Sequence, residues 1–151
     1  MNPEHLLEQA ENLIKATPAG APRQSDLRRA ISAAYYALFH FVMRAAADAA
    51  LGTTAKRDDI YARVYRSLAH NELKERSRQA RNISANIAAF ADAIVGLQEA
   101  RHHADYDPPF RVSKSEAITQ VRNARDAIAR FESAPDSEKK SCLVTLMFKG
   151  R

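Results

Sequence analysis

Apolar residues recur at helical spacing in five segments of the chain. From Pro3 to Lys15, the residues Leu6, Leu7, Ala10, Leu13 and Ile14 form one stripe, with Asn2 placed to cap it and Pro3 at the first helical position. After the linker "TPAGAPRQ", Ser25 is expected to cap a long helix that stops before Gly52. A third helix, Asp58 to Ala69, aligns Ile60, Val64 and Leu68, and the polar stretch "HNELKERSRQARN" after it carries no clear pattern. The fourth runs from Ser84 to Ala104, because Pro108 and Pro109 prevent its continuation. The fifth opens on a capping box, "SKSE" at 113–116, and carries Ile118, Val121, Ala124, Ile128 and Phe131 as far as "SAP" at 133–135. The remainder, 136–151, contains "CLVTLMF" and reads as a short strand or an extended arm. The pattern predicts an all-α, up-and-down bundle of four to five helices over residues 1–135, followed by a short C-terminal tail.

Composition agrees with helices. The chain has 151 residues, the length of one domain, and is 46% hydrophobic, much of it alanine, with only four glycines and six prolines. A single cysteine, Cys142, excludes an internal disulfide and a cysteine zinc site, and fits a reduced cytoplasmic setting. The start, "MNPEHLLEQAENLIK", is acidic and amphipathic, unlike a leader, and "AISAAYYALFHFVM" is too short and too polar to span a bilayer, so no membrane association is expected. Net charge is +5, and between Lys56 and Arg81 eight Lys/Arg against four Asp/Glu leave +4 in one segment. Arg63, Arg66 and His70 in that segment are candidate contacts for a phosphate-bearing partner. The plainer alternative is a solvated helix face.

Two helices carry more than a core stripe. On the second, Leu27, Ile31, Ala34, Leu38, Phe41, Val42 and Ala45 form one face, while the opposite side presents Ser32, Tyr36, Phe39, His40 and Met43, with Arg29 at its upper end. A helix apolar nearly all round needs a second cover, either the carboxy-terminal tail or a second copy of the chain. On the fourth, Ile83, Ile87, Phe90, Ile94 and Leu97 fall on one line, and the next residues on that line are Arg101 and Asp105. His102 and Tyr106 flank it at i,i+4. The group reads either as an ion pair closing the end of the bundle or as a site: an arginine held in a cleft suits phosphate, with His102, His103, Tyr106 or His40 available for proton transfer. His102 and His103 project about 100° apart on a helix, which argues against a shared metal. Asp105 and Asp107 could hold Mg²⁺ only if the turn before Pro108 brought them together.

"RRAISAAYYALFHFVMRAAADAALG" at 28–52, together with "LQEARHHADYDPP" at 97–109, resembles the bacterial HEPN superfamily. The likeness is to its branch with an "AYYALFH" helix and a later R-x-x-A-D-Y-D-P segment, and it covers residues 25–112. The resemblance implies a helical bundle that forms a homodimer through these two helices and needs neither metal nor cofactor. It also implies one of two roles: a metal-independent ribonuclease, as in toxin–antitoxin and phage-defence systems, or a partner of a nucleotidyltransferase-like protein. Arg101 matches the family's catalytic arginine and His102 the polar residue after it, but the histidine expected a few residues later is absent, its region being Asp105, Tyr106 and Asp107. Arg63 and His70 repeat a similar spacing on another helix. The expected function is an RNA- or nucleotide-binding module. Arg101, His102, His103, Asp105 and Tyr106 form its centre, and Arg29, Tyr36, His40, Met43, Arg63, Arg66 and His70 lie on binding or dimer faces. The alternatives are an active endoribonuclease and an accessory dimerisation subunit.

Overall fold

A computed structural model describes residues 1–68 and 70–150, with the side chains of His70 and Asn71 outside the described residues. Those residues form seven helices and no strand: α1 (Pro3–Ile14), α2 (Gln24–Leu51), α3 (Asp59–Tyr65), α4 (His70–Ala80), α5 (Ala85–Tyr106), α6 (Lys114–Ser133) and α7 (Asp136–Met147). Among them no helix is long and apolar enough to cross a membrane.

The predicted stop and start signals operate as chemistry requires. Asn2 Oδ1 accepts from the Glu4 amide at 3.0 Å, and Ser84 Oγ accepts from the Ile87 amide at 3.2 Å. In the capping box of α6, the Glu116 amide donates to Ser113 Oγ at 3.1 Å and the Ser113 amide donates to Glu116 Oε2 at 2.6 Å. Gly52 ends α2 with a φ of 93°, a conformation that costs other residues more. The start of α2 differs from expectation: Arg23, not Ser25, is the cap residue, and Asp26 accepts from its amide at 3.4 Å.

The long α2 is the central post, packed by α1, α3, α5, α6 and α7. Ala30, Ala34 and Ala37 are fully buried along it, and small side chains let neighbouring backbones approach closely. Phe41, Phe90 and Phe131 tie α2, α5 and α6 together, with ring centroids 4.8 Å apart for Phe90–Phe131 and 5.5 Å for Phe41–Phe131.

Three expectations need correction. The segment "CLVTLMF" is helix, not strand or arm: α7 buries Cys142, Leu143 and Leu146, a helical spacing. Met43, placed on a binding or dimer face, is buried in the core of the single chain together with Phe39. Its cover comes from within the molecule, so this part of α2 does not call for a second copy. On α3, Ile60 is 63% exposed and Tyr61 is the buried residue, because the helix is only seven residues long and packs through its aromatic side.

Candidate functional site

The end of α5 runs antiparallel to the start of α2, and polar contacts between them recur about every helical turn. Arg28 donates from Nε to the Ala104 carbonyl at 2.6 Å and from Nη2 to the Asp107 carbonyl at 2.8 Å. These are carbonyls a helix terminus leaves without intrahelical partners, so Arg28 caps α5 from outside. One turn on, the Ser32 hydroxyl donates to Asp105 Oδ1. One turn further, Arg101 Nη1 donates to the Tyr36 hydroxyl at 3.3 Å and faces Asp105 Oδ2 at 3.4 Å. Gln24 secures the chain beyond the prolines, donating to the Val112 carbonyl at 2.8 Å and accepting from its amide at 3.1 Å.

Arg101 therefore ends the apolar line of α5 as the spacing predicted. Its side chain is only 14% exposed. Three tyrosine rings enclose the guanidinium, with centroids at 5.3 Å (Tyr35), 5.6 Å (Tyr36) and 5.5 Å (Tyr106). Both polar contacts of Nη1 are at the long end of hydrogen bonding, and among the described residues Nε has no partner. The cation is sheltered but weakly neutralised. Burial pushes the Tyr35 phenol up to about 12, against the opposing pull of Arg101.

In front of this group lies a cleft of about 650 Å³, bounded by α1 through Leu6, Gln9 and Leu13. Arg29, Ser32, Tyr36, His40, Asp105 and Tyr106 also line it. Arg29 is exposed at the rim and makes no side-chain hydrogen bond or ion pair among the described residues. His40 Nδ1 and the Tyr65 hydroxyl share a hydrogen bond at 2.7 Å. Burial raises the Tyr65 phenol, partly offset by Arg44 and Arg57. Beyond Tyr65 a second pocket of about 500 Å³ carries Arg44, Arg57, Arg66, Tyr61 and Tyr65.

The structure thus brings together Arg29, Tyr36, His40, Arg101, Asp105 and Tyr106. His102 and His103 are exposed and are not among the cleft's lining residues: His102 packs its ring 5.4 Å from Tyr106, and His103 stacks on Phe110 and faces Asp107 at 3.5 Å. Arg66 belongs to the second pocket and Arg63 is exposed elsewhere on α3, while the His70 side chain lies outside the described residues. The basic segment divides in two. On and after α4, Lys74 pairs with Glu99 at 2.6 Å, Arg78 with Glu75 at 3.6 Å and Arg81 with Asp92 at 2.7 Å, a solvated ionic face, while the largely buried Arg76 pairs with Glu72. Around α3, Lys56, Arg63 and Arg66 have no carboxylate partner among the described residues.

Arg28, Ser32, Arg44, Arg57 and Tyr65 were not among the predicted site residues. Arg28, Ser32 and Tyr36 follow one another at i,i+4, so a polar line facing α5 was present in the sequence. Nothing local marked Arg57 or Tyr65, which reach the site only through packing of α3 on α2. No protein-family model, curated protein or solved structure matches this chain.

Proposed function

We propose that the chain is a HEPN-like module that binds a phosphate-bearing ligand, RNA or a nucleotide, in the cleft between α1, α2 and the end of α5. One observation carries the reading: a largely buried, weakly neutralised guanidinium in contact with Tyr36, Asp105 and Tyr106, three residues that line a roomy cleft with a second arginine, Arg29, at its rim. A guanidinium presents a planar fork of donors that fits phosphate oxygens, and shelter from water strengthens the contact. The 3.4 Å approach of Asp105 is loose enough for a phosphate oxygen to replace it. Arg29 adds charge at the entrance, and the Ser32 and Tyr36 side chains, bonded to Asp105 and Arg101, form the wall between. A role in a toxin–antitoxin or defence system follows from the resemblance of residues 25–112 and stands or falls with it.

Isothermal titration with AMP and with an eight-residue oligoadenylate tests the proposal. Wild-type protein binds, the affinity falls as salt is raised, and Arg29→Ala weakens it by about tenfold, the scale of one charge-assisted contact. Absence of binding by the wild type to both probes leaves the accessory-subunit alternative.

A metal-independent endoribonuclease is the second reading, favoured by His40 lining the same cleft as Tyr36 and Asp105. There His40 would take the proton of a 2′-hydroxyl as that oxygen bonds to phosphorus, the P–O5′ bond would break with the 5′-oxygen taking a proton from water, and Arg101 would stabilise the charge developing on phosphate. Incubation with labelled RNA in EDTA separates the two: intact RNA alongside salt-sensitive binding supports the module, and cleavage lost in His40→Ala supports the nuclease.

A further inference from the structure

We propose that the cleft beside Arg29 is one end of a longer track for a single-stranded polynucleotide, and that the pocket on α3 is the other end. This rests on the phosphate-binding reading above. The carrying observation is a row of three partly exposed rings, Tyr36, His40 and Tyr65, that joins the two cavities, with the buried Tyr61 ring next to its far end. Tyr36 and His40 lie 6.5 Å apart between centroids, His40 and Tyr65 6.0 Å, and Tyr65 and Tyr61 6.2 Å, with interplanar angles of 36°, 27° and 32°. Successive rings are therefore tilted only moderately from one another, as in a stacking platform for bases. Cations flank the row at both ends. Arg29 stands at the first cavity, and Arg44, Arg57 and Arg66 at the second.

Arginines outnumber carboxylates at the second end, although Asp58 lines the same pocket. Arg44 and Arg57 share one carboxylate, Asp48, at 3.8 and 2.9 Å, while Arg66 has no carboxylate partner among the described residues. Arg57 already lies 4.0 Å above the Tyr61 ring, a guanidinium–aromatic stack of the type that also holds a base. Tyr65 is half-buried and its hydroxyl is engaged with His40, so its ring is fixed in place before any ligand arrives.

Length selects the ligand. Arg29 and Arg44 are fifteen residues apart on one helix, about 22 Å at the α-helical rise. A mononucleotide is too short to engage Arg29 and Arg44 at once, whereas a strand of several nucleotides lays its phosphates on the arginines and its bases on the rings. A duplex keeps its bases stacked on one another and has none to offer the row. An acidic peptide uses the arginines and leaves the rings idle.

The test measures anisotropy of fluorescein-labelled A8 RNA and A8 DNA, with competition by AMP and by an eight-base-pair duplex. Both single strands bind at least tenfold more tightly than AMP, and their ratio tells RNA from DNA. The double variant Arg44→Ala/Arg66→Ala, at two exposed positions, weakens A8 by about tenfold and leaves AMP unchanged. It also flattens the slope of log K against log salt by about 1.4, the amount for two lost phosphate contacts on a single strand. Tyr65→Leu weakens A8 by about tenfold while Tyr65→Phe, which keeps the ring, does not. Equal affinity for A8 and AMP, equal affinity for the duplex, or an α3 double variant that binds A8 like wild type overturns the track and leaves the single-cleft reading standing. Loss of AMP and A8 binding together in the wild type overturns both.

Discussion

Arg28 and Arg101 stand on neighbouring helices and do different work. Arg28 closes the end of α5 with two of its three nitrogens. Arg28→Ala should lower stability by about 2 kcal/mol, the range of hydrogen bonds from a charged donor, read as a lower urea midpoint with an unchanged slope. Tyr35, behind Arg101, has a phenol raised by burial from 10.0 to about 12. A group raised on folding stabilises fully below its unfolded value, so this contribution is present below pH 10 and is lost as pH climbs toward 12. Melting temperatures between pH 9 and 12 should fall less steeply for Tyr35→Phe than for wild type. Burial likewise pushes the Cys142 thiol up to about 12, so a thiol reagent at neutral pH should label it only after denaturant is added.

At the scale of elements, what the sequence made legible follows from how each helix earns its stability. The helices α1, α2, α5 and α6 bury a stripe against the core, so their period shows in the residues. Among the described residues, the helix α4 buries only Leu73, Ser77 and Ala80 between strongly polar neighbours, so its stripe is faint in the residues. In α7 the apolar run "CLVTLMF" hid the period, although Asp136 and Glu138 after Pro135 were a helix-start signal. Arg76, read as part of a basic patch, instead closes the end of α7 by donating to the Leu146 and Met147 carbonyls at 3.0 and 2.7 Å. The capping box of α6 gives a test at this scale. Ser113→Ala should cost about 1 kcal/mol. The Ser113 backbone amide and hydroxyl hold the Glu116 carboxyl below its ordinary 4.5, so its contribution is present above that value and fades as pH falls through the lower folded one. Glu116→Gln should therefore flatten the acid limb of a stability profile.

For the whole molecule, the sequence placed Arg101 and Asp105 at the end of a core line because both lie on one helix, where spacing determines direction. It could not show that α1 forms the facing wall, that Met43 is covered from within, or that α3 brings Tyr65 to His40, since those depend on how separate helices pack. The Arg101 guanidinium, in contact with Tyr36 and Asp105 of the cleft wall, should sense a phosphate ligand bound there. The most direct measurement follows the side-chain Nε–H signals of arginine by ¹H–¹⁵N NMR while AMP is added, with the Arg101 signal assigned by its loss in Arg101→Lys. This signal should move saturably with AMP, and in Arg29→Ala reach the same shift only at about tenfold higher AMP. A signal unmoved in the wild-type protein, while exposed arginines such as Arg63 shift, would contradict it.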